Sequence, residues 1–174
     1  MDIGPPCIMA ASAVNQIPIF ENKIVPPEEL SGRMRSQIRP LVFTNGVFDV
    51  LHRGHVTYLA EARALGASMI VALNSDSSVR RLGKGPDRPV NPLEDRLAVV
   101  AAQESVSLVT WFDDDTPLAL IVACRPDVLV KGGDWPAENI VGGKEVLAWR
   151  GQVHSIPFKY ERSTTALLSR IRKT

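Results

Sequence analysis

"LVFTNGVFDVLHRGHVTYLA", residues Leu41–Ala60, opens as a continuous apolar run and closes with an apolar period. The run "PLVFTN" suits a short buried strand. Val56, Leu59, Ala60, Ala62 and Leu65 then recur at helical spacing, and Gly66 is a fitting stop. Between the two lie His52 and His55, two of only 3 histidines in the chain, set three apart around Gly54. On a helical turn that spacing projects both imidazoles to one side. Gly54 removes a side chain where a ligand could approach the backbone. The helix that follows offers unpaired N–H groups and a partial positive charge, so the pair suits phosphoryl oxygens. A zinc site would need a third ligand, and only His154 is left, with no HExxH or cysteine pair beside it. A purely structural role for both rings is the other alternative.

The strand-then-helix pattern repeats along the chain. "SMIVALNS" is a second strand, and "NPLEDRLAVVAAQE" is a helix capped by Asn91, with Pro92 first and an acidic opening turn. "SLVTWF" is a third strand, and "DTPLALIVAC" a helix with its cap at Asp115 or Thr116 before Pro117. "PDVLVKGG", "GGKEVLAWRG" and "QVHSIPF" give strand, helix and strand, and "STTALLSRIRK" a closing helix capped by Ser163. Strands and helices alternate with no hairpin signal, which predicts a single α/β domain. Its core is an open, parallel, five-stranded, Rossmann-like sheet with helices on both faces. Ligands of such sheets sit at the carboxyl ends of the strands, near the switch in strand order. Residues 1–37 lack periodicity and are expected to form an N-terminal arm with one short helix in "PPEELSGRMR"; residues 38–174 form the domain proper.

Composition narrows the function. Twenty basic against 19 acidic side chains leave a net charge of +1, which disfavours a nucleic-acid surface and points to a small ligand. Cys7 and Cys124 lie far apart in no metal or redox spacing, as expected of free thiols in the cytoplasm. No Lys or Arg precedes "CIMAASAV", so no signal peptide is expected, and no segment reaches membrane-spanning length.

Five collinear motifs carry a resemblance. "FTNGVFDVLHRGHVTYL" resembles the signature of the HxGH nucleotidyltransferase superfamily, in its cytidylyltransferase-like branch. "ALNSD", "GPDRPVNPLEDR", "DVLVKGGDW" and "ERSTTALLSRI" are similar, in the same order, to the heptose-1-phosphate adenylyltransferases of ADP-heptose synthesis. Many relatives fuse this domain to a sugar kinase, for which 174 residues leave no room, so the stand-alone form is expected. The resemblance implies AMP transfer from ATP to D-glycero-β-D-manno-heptose 1-phosphate, with Mg2+ carried chiefly by the triphosphate, in a homodimer. A sugar phosphate is already anionic near neutrality, its second pKa being ~6. No general base is then required; the work lies in alignment and charge stabilisation.

The residues divide accordingly. His52, His55 and Lys84 are the expected catalytic groups. Thr44, Asn45, Gly46, Phe48, Gly54, Lys131, Gly132 and the hydroxyl run Ser163, Thr164 and Thr165 are the expected nucleotide-binding residues; an ordinary turn is the rival for Thr44–Gly46, a helix cap for Ser163. Lys84 and Arg88 lie in "RRLGKGPDRPV", a solvated basic loop or a mobile flap receiving the sugar phosphate. Asn74 and Asp76 reach the sugar or ribose, or cap the next turn. Asp134 completes the substrate contacts, and Trp135 walls the pocket or packs on the surface. Asp49 holds its loop or stands near magnesium; Asp113–Asp115 suit a helix N-terminus, and His154 is structural. The alternatives are a cytidylyltransferase for another sugar or alcohol phosphate, or a nucleotide sensor without turnover.

Overall fold

The computed structural model describes residues 17–83, 85, 87–160, 167, 170 and 171. Five strands, β1 (Leu41–Gly46), β2 (Ser68–Asn74), β3 (Leu108–Phe112), β4 (Val128–Gly132) and β5 (Gln152–Ile156), form one sheet. The order is β3-β2-β1-β4-β5 and every pairing is parallel. The chain therefore leaves β1 in one direction and returns on its other side, so the switch point lies between β1 and β4.

Burial on both faces is why these strands read as unbroken apolar runs rather than alternating ones. β2 is buried from end to end. Val42, Met69, Val71 and Val109 face Tyr58, Leu59 and Ala62 of α2 (Arg53–Arg63) and Leu97 and Val100 of α4 (Leu93–Ala101). Leu41, Phe43, Ile70 and Leu129 face the opposite layer. That layer is built from Leu30 of α1 (Leu30–Met34), Ile121 and Cys124 of α5 (Leu118–Cys124), and Val146 of α6 (Gly143–Ala148). Each fully buried Val or Leu contributes about 1.5–3 kcal/mol, so the two layers account for the sheet's rigidity beneath its carboxyl edge.

Four local features differ from the sequence reading. A further helix, α3 (Asp76–Arg81), follows β2, capped by Ser75, whose Oγ accepts from Ser78 N at 3.0 Å. Pro92 and Pro117, not the polar residues before them, occupy the N-cap positions of α4 and α5, and neither end has a side-chain cap bond. Asn91 is occupied elsewhere, as described below. α2 ends at Arg63 with Ala64 as its C-cap, ahead of Gly66. Ile24 and Val25 meanwhile reach the β3 edge: Val25 N donates to Val109 O at 2.8 Å, and the Val25 side chain is buried. This contact occupies one position of an otherwise open β3 edge. Most of the expected closing helix, and residues 1–16 of the arm with Cys7, fall outside the described residues.

Candidate active site

A cavity of about 590 Å³ opens over the carboxyl ends of the strands. Of the expected residues, Asn45, Gly46, Phe48, Asp49, His55, Asn74, Arg88, Lys131, Gly132 and Trp135 line it. Lys84, Ser163, Thr164 and Thr165 lie outside the described residues.

The histidine pair is seated by the helix end itself. His52 is the N-cap of α2, and its Nδ1 accepts from Gly54 N at 3.1 Å. With Nδ1 accepting, the proton of the neutral ring sits on Nε2, so His52 presents one N–H donor. Its ring stacks on His55 with centroids 4.0 Å apart, and it is His55 that faces the cavity. Gly54 has a steric reason: a Cβ there would stand 2.9 Å from His52 Cε1. The space left by glycine is filled by the imidazole, which corrects the expectation that it admits a ligand to the backbone. Phe48 on one side and Phe158 on the other meet the His55 ring edge to face, at 5.4 and 6.2 Å.

Tyr58 lies one turn beyond His55. Its hydroxyl shares a 2.5 Å hydrogen bond with Thr44 Oγ1 and reaches Val130 O at 3.4 Å. α2 is thereby tied to β1 and β4, the two strands at the switch point. Burial pushes the phenol's pKa up, only partly offset by the Thr44 bond. Thr44 itself is fully buried and does not line the cavity, so its side chain is a strut rather than a phosphate contact.

The C-terminal end of the basic loop, from Arg88 to Asn91, is anchored to Asp49. Asp49, 3% exposed, receives Arg88 Nε at 2.5 Å, Val90 N at 2.8 Å and Asn91 N at 2.9 Å, while Asn91 Nδ2 returns to Asp49 O. Arg88 thus lines the cavity as half of a buried ion pair. Asp49's two oxygens are committed to these donors, which assigns it to the loop rather than to magnesium. Asp76 is also redirected: its carboxylate pairs with Arg96 Nη2 at 2.7 Å and does not line the cavity. Asn74 does line it, buried, with Nδ2 donating to Ser78 Oγ at 3.0 Å.

On the β4 side, Lys131 Nζ lies 3.4 Å from Asn45 Oδ1. Trp135 is half exposed at the rim, its indole donating to Gly132 O at 3.2 Å and its backbone N–H to Ser155 Oγ at 2.9 Å. It walls the cavity. Asp134 is exposed on the same turn and does not line it. His154 bonds Gln152 within β5, away from the cavity. Two carboxylates of the acidic run, Asp113 and the cavity-lining Asp115, also have partners. Asp113 accepts from Ser75 and Ser77, whose hydroxyls hold its carboxyl below the usual range, and Asp115 pairs with Arg81 Nε at 2.9 Å.

Tyr58, Phe158 and Arg96 escaped sequence reasoning, and Asn91 was read as a helix cap rather than as a partner of Asp49. Tyr58 had a usable signal, its helical spacing from His55. Arg96 had a fainter one, a charge on the helix face that carries Leu93, Leu97 and Val100. Leu82, Phe112 and Ile140 line the cavity too, and nothing in their local sequence marks them.

Known proteins resemble this chain in sequence and in fold. The family model described as cytidylyltransferase-like matches residues 43–169. The D-beta-D-heptose 1-phosphate adenylyltransferase of Bordetella bronchiseptica is 54% identical over 159 residues, covering 88% of this chain and 96% of that protein. The bifunctional protein HldE of Hahella chejuensis is 52% identical over 139 residues, 80% of this chain but 29% of that protein. Among solved structures, a lipopolysaccharide core biosynthesis protein from Thermoplasma volcanium superposes with a TM-score of 0.56 at 24% identity, over 70% of this chain and 98% of that one. A pantoate-beta-alanine ligase from Francisella tularensis gives the same TM-score at 14% identity, over 87% of this chain and 72% of that one. These two likenesses bear on the fold alone.

Proposed function

The chain belongs to the cytidylyltransferase-like family, and on that footing we propose that it transfers AMP from ATP to D-glycero-β-D-manno-heptose 1-phosphate, releasing pyrophosphate and ADP-heptose. The observation that carries the reading is the end-to-end match to a heptose 1-phosphate adenylyltransferase, 54% identical over 96% of that protein. The cavity supports it: His55, Lys131 and Arg88 bring positive and N–H donor groups to the carboxyl edge at the β1–β4 switch point. The product feeds lipopolysaccharide or surface-glycan precursors in the cytoplasm.

In the proposed step a phosphate oxygen of the sugar attacks the α-phosphorus of ATP. The new O–P bond forms as the bond to the β-phosphate oxygen breaks, and the electron pair leaves with pyrophosphate. The nucleophile is already ionised, its second pKa being ~6, so no side chain has to remove a proton. His52 through Nε2–H and His55 stabilise charge on the phosphoryl oxygens, aided by Lys84. Asn45, Gly46, Phe48, Lys131, Gly132 and Ser163–Thr165 hold the nucleotide; Asn74, Arg88 and Trp135 hold the sugar phosphate. Magnesium fits as a companion of the triphosphate, since Asp49 and Asp115 are already paired and no cluster of three metal-ligating side chains occurs among the described residues. No step is routed through it.

One matrix tests the reading: ATP or CTP crossed with heptose, hexose and glycerol phosphates, with Mg2+, following pyrophosphate release. ATP with the heptose phosphate is expected to lead. Turnover with CTP alone would overturn the adenylyl assignment, and ATP binding without turnover on any acceptor would favour a sensor. We further propose a homodimer, read by sedimentation, and a domain of residues 38–174 whose core is completed by Val25 and Leu30 of the preceding segment, so that limited proteolysis is expected to leave that pair attached.

A further inference from the structure

Arg96 holds a full charge with its side chain wholly shielded from solvent, and the transfer chemistry does not use it. A buried arginine persists where its N–H groups find acceptors. Arg96 finds them on three separate segments: Nε donates to Asn91 O at 3.1 Å, Nη1 to Val47 O at 2.8 Å and Nη2 to Asp76 Oδ1 at 2.7 Å. These are the loop before α4, the loop after β1 and the first turn of α3.

The middle contact reaches the active site. Val47 precedes Phe48, which adopts φ +48°, a left-handed conformation that a bulky side chain avoids unless its surroundings impose it. The imposition comes from both sides. Arg96 fixes the carbonyl of Val47, and Val90, Asn91 and Arg88 fix Asp49. So held, Phe48 lays its ring beneath Gly46, where a Cβ would come within 2.9 Å of it, and against the edge of His55.

We infer that Arg96, with Asp76 as its counterion, is a positioning residue for His55, acting through the Val47 carbonyl and the Phe48 ring. The inference deepens the proposed function and rests on it only for the kinetic half of the test. Asp76 is then an element of the catalytic loop's scaffold and not a ligand of the sugar.

Two variants probe the pair, Arg96→Lys and Asp76→Asn; the second keeps its size and an acceptor oxygen, and carries the test alone should the first fail to fold. In steady-state assays both are expected to lower kcat about tenfold or more, the scale of a sub-ångström misplacement, with KM for ATP and for the heptose phosphate held within about twofold. The double variant loses little beyond the worse single one, because both act on one element. NMR supplies a readout independent of the substrate's identity: the chain's 3 histidines give few imidazole signals, assignable by substitution. Both variants are expected to shift the His55 ring signals and leave those of His154 in place. A raised KM for the sugar phosphate at unchanged kcat in Asp76→Asn would make Asp76 a ligand and overturn the inference. Unmoved His55 signals would overturn it as well. If wild type turns over no acceptor while the His55 signals move as described, the functional reading fails and the positioning role stands.

Discussion

Gly54→Ala separates stability from rate at the histidine pair. An added Cβ would meet His52 Cε1 at 2.9 Å and Nδ1 at 3.0 Å, against an ordinary contact that begins at 3.4 Å. The ring must therefore retreat by about 0.5 Å, and that movement loosens the 3.1 Å cap bond from Gly54 N. Two energies oppose each other. Replacing glycine by alanine within a helix gains about 0.5–1 kcal/mol, whereas losing an N-cap bond costs roughly 1 kcal/mol. They nearly cancel, so Tm is expected to move by less than about 4 °C. The rate has no such compensation, because His52 stacks on His55 at 4.0 Å and cannot shift without disturbing it. An error of 1 Å in placing a reacting group costs on the order of a hundredfold; half of that suggests a loss of about tenfold in kcat. Pyrophosphate release at saturating ATP and heptose phosphate measures the rate, and calorimetry measures Tm. Turnover within about twofold of wild type would refute the claim that the seat of His52 matters. A fall in Tm beyond about 10 °C would refute the energy balance.

Three more expectations use other parts of the site. His55→Ala should lower turnover at least about a hundredfold, the scale of losing one oxyanion donor, with little change in unfolding; unchanged turnover would remove His55 from the mechanism. Burial pushes the Cys124 thiol up to about 12, so in a Cys7→Ser background it should resist iodoacetamide at about pH 8 while native and react once unfolded in guanidinium. Modification of the native protein at the rate of a free thiol would contradict the packing of α5. The Asp113 carboxyl is held low by Ser75 and Ser77. Its contribution to stability is thus fully present above the unfolded carboxyl value of ~3.9 and fades as pH falls through the lower folded value. Asp113→Asn should accordingly be less stable than wild type at neutral pH, with the gap closing in acid; a gap independent of pH in urea titrations would contradict it.

The motifs made much of the site legible. The place of His52 and His55 at the N-terminal end of α2 was legible because capping and spacing are local matters, settled within a few residues. Asp76 was misread for the opposite reason. It looked like an available charge in a polar loop, and its fate depended on Arg96, 20 positions away. Arg88 lines the cavity as expected, but its pairing with Asp49, 39 positions away, was not legible locally. Thr44 and Gly54 share that lesson at shorter range. Tyr58 claims the hydroxyl of one, and the His52 imidazole fills the space above the other.

Taken alone, the order of residues determined the five strands and the helices between them apart from α3, the parallel sheet and the position of the histidine pair. Periodicity and burial on two faces act along the chain and leave a direct imprint on it. Only the folded molecule decided which charges stay available to a ligand. That outcome depends on which oppositely charged groups the crossovers deliver to the same carboxyl edge, and on how little water remains there to compete for them. Local sequence records neither.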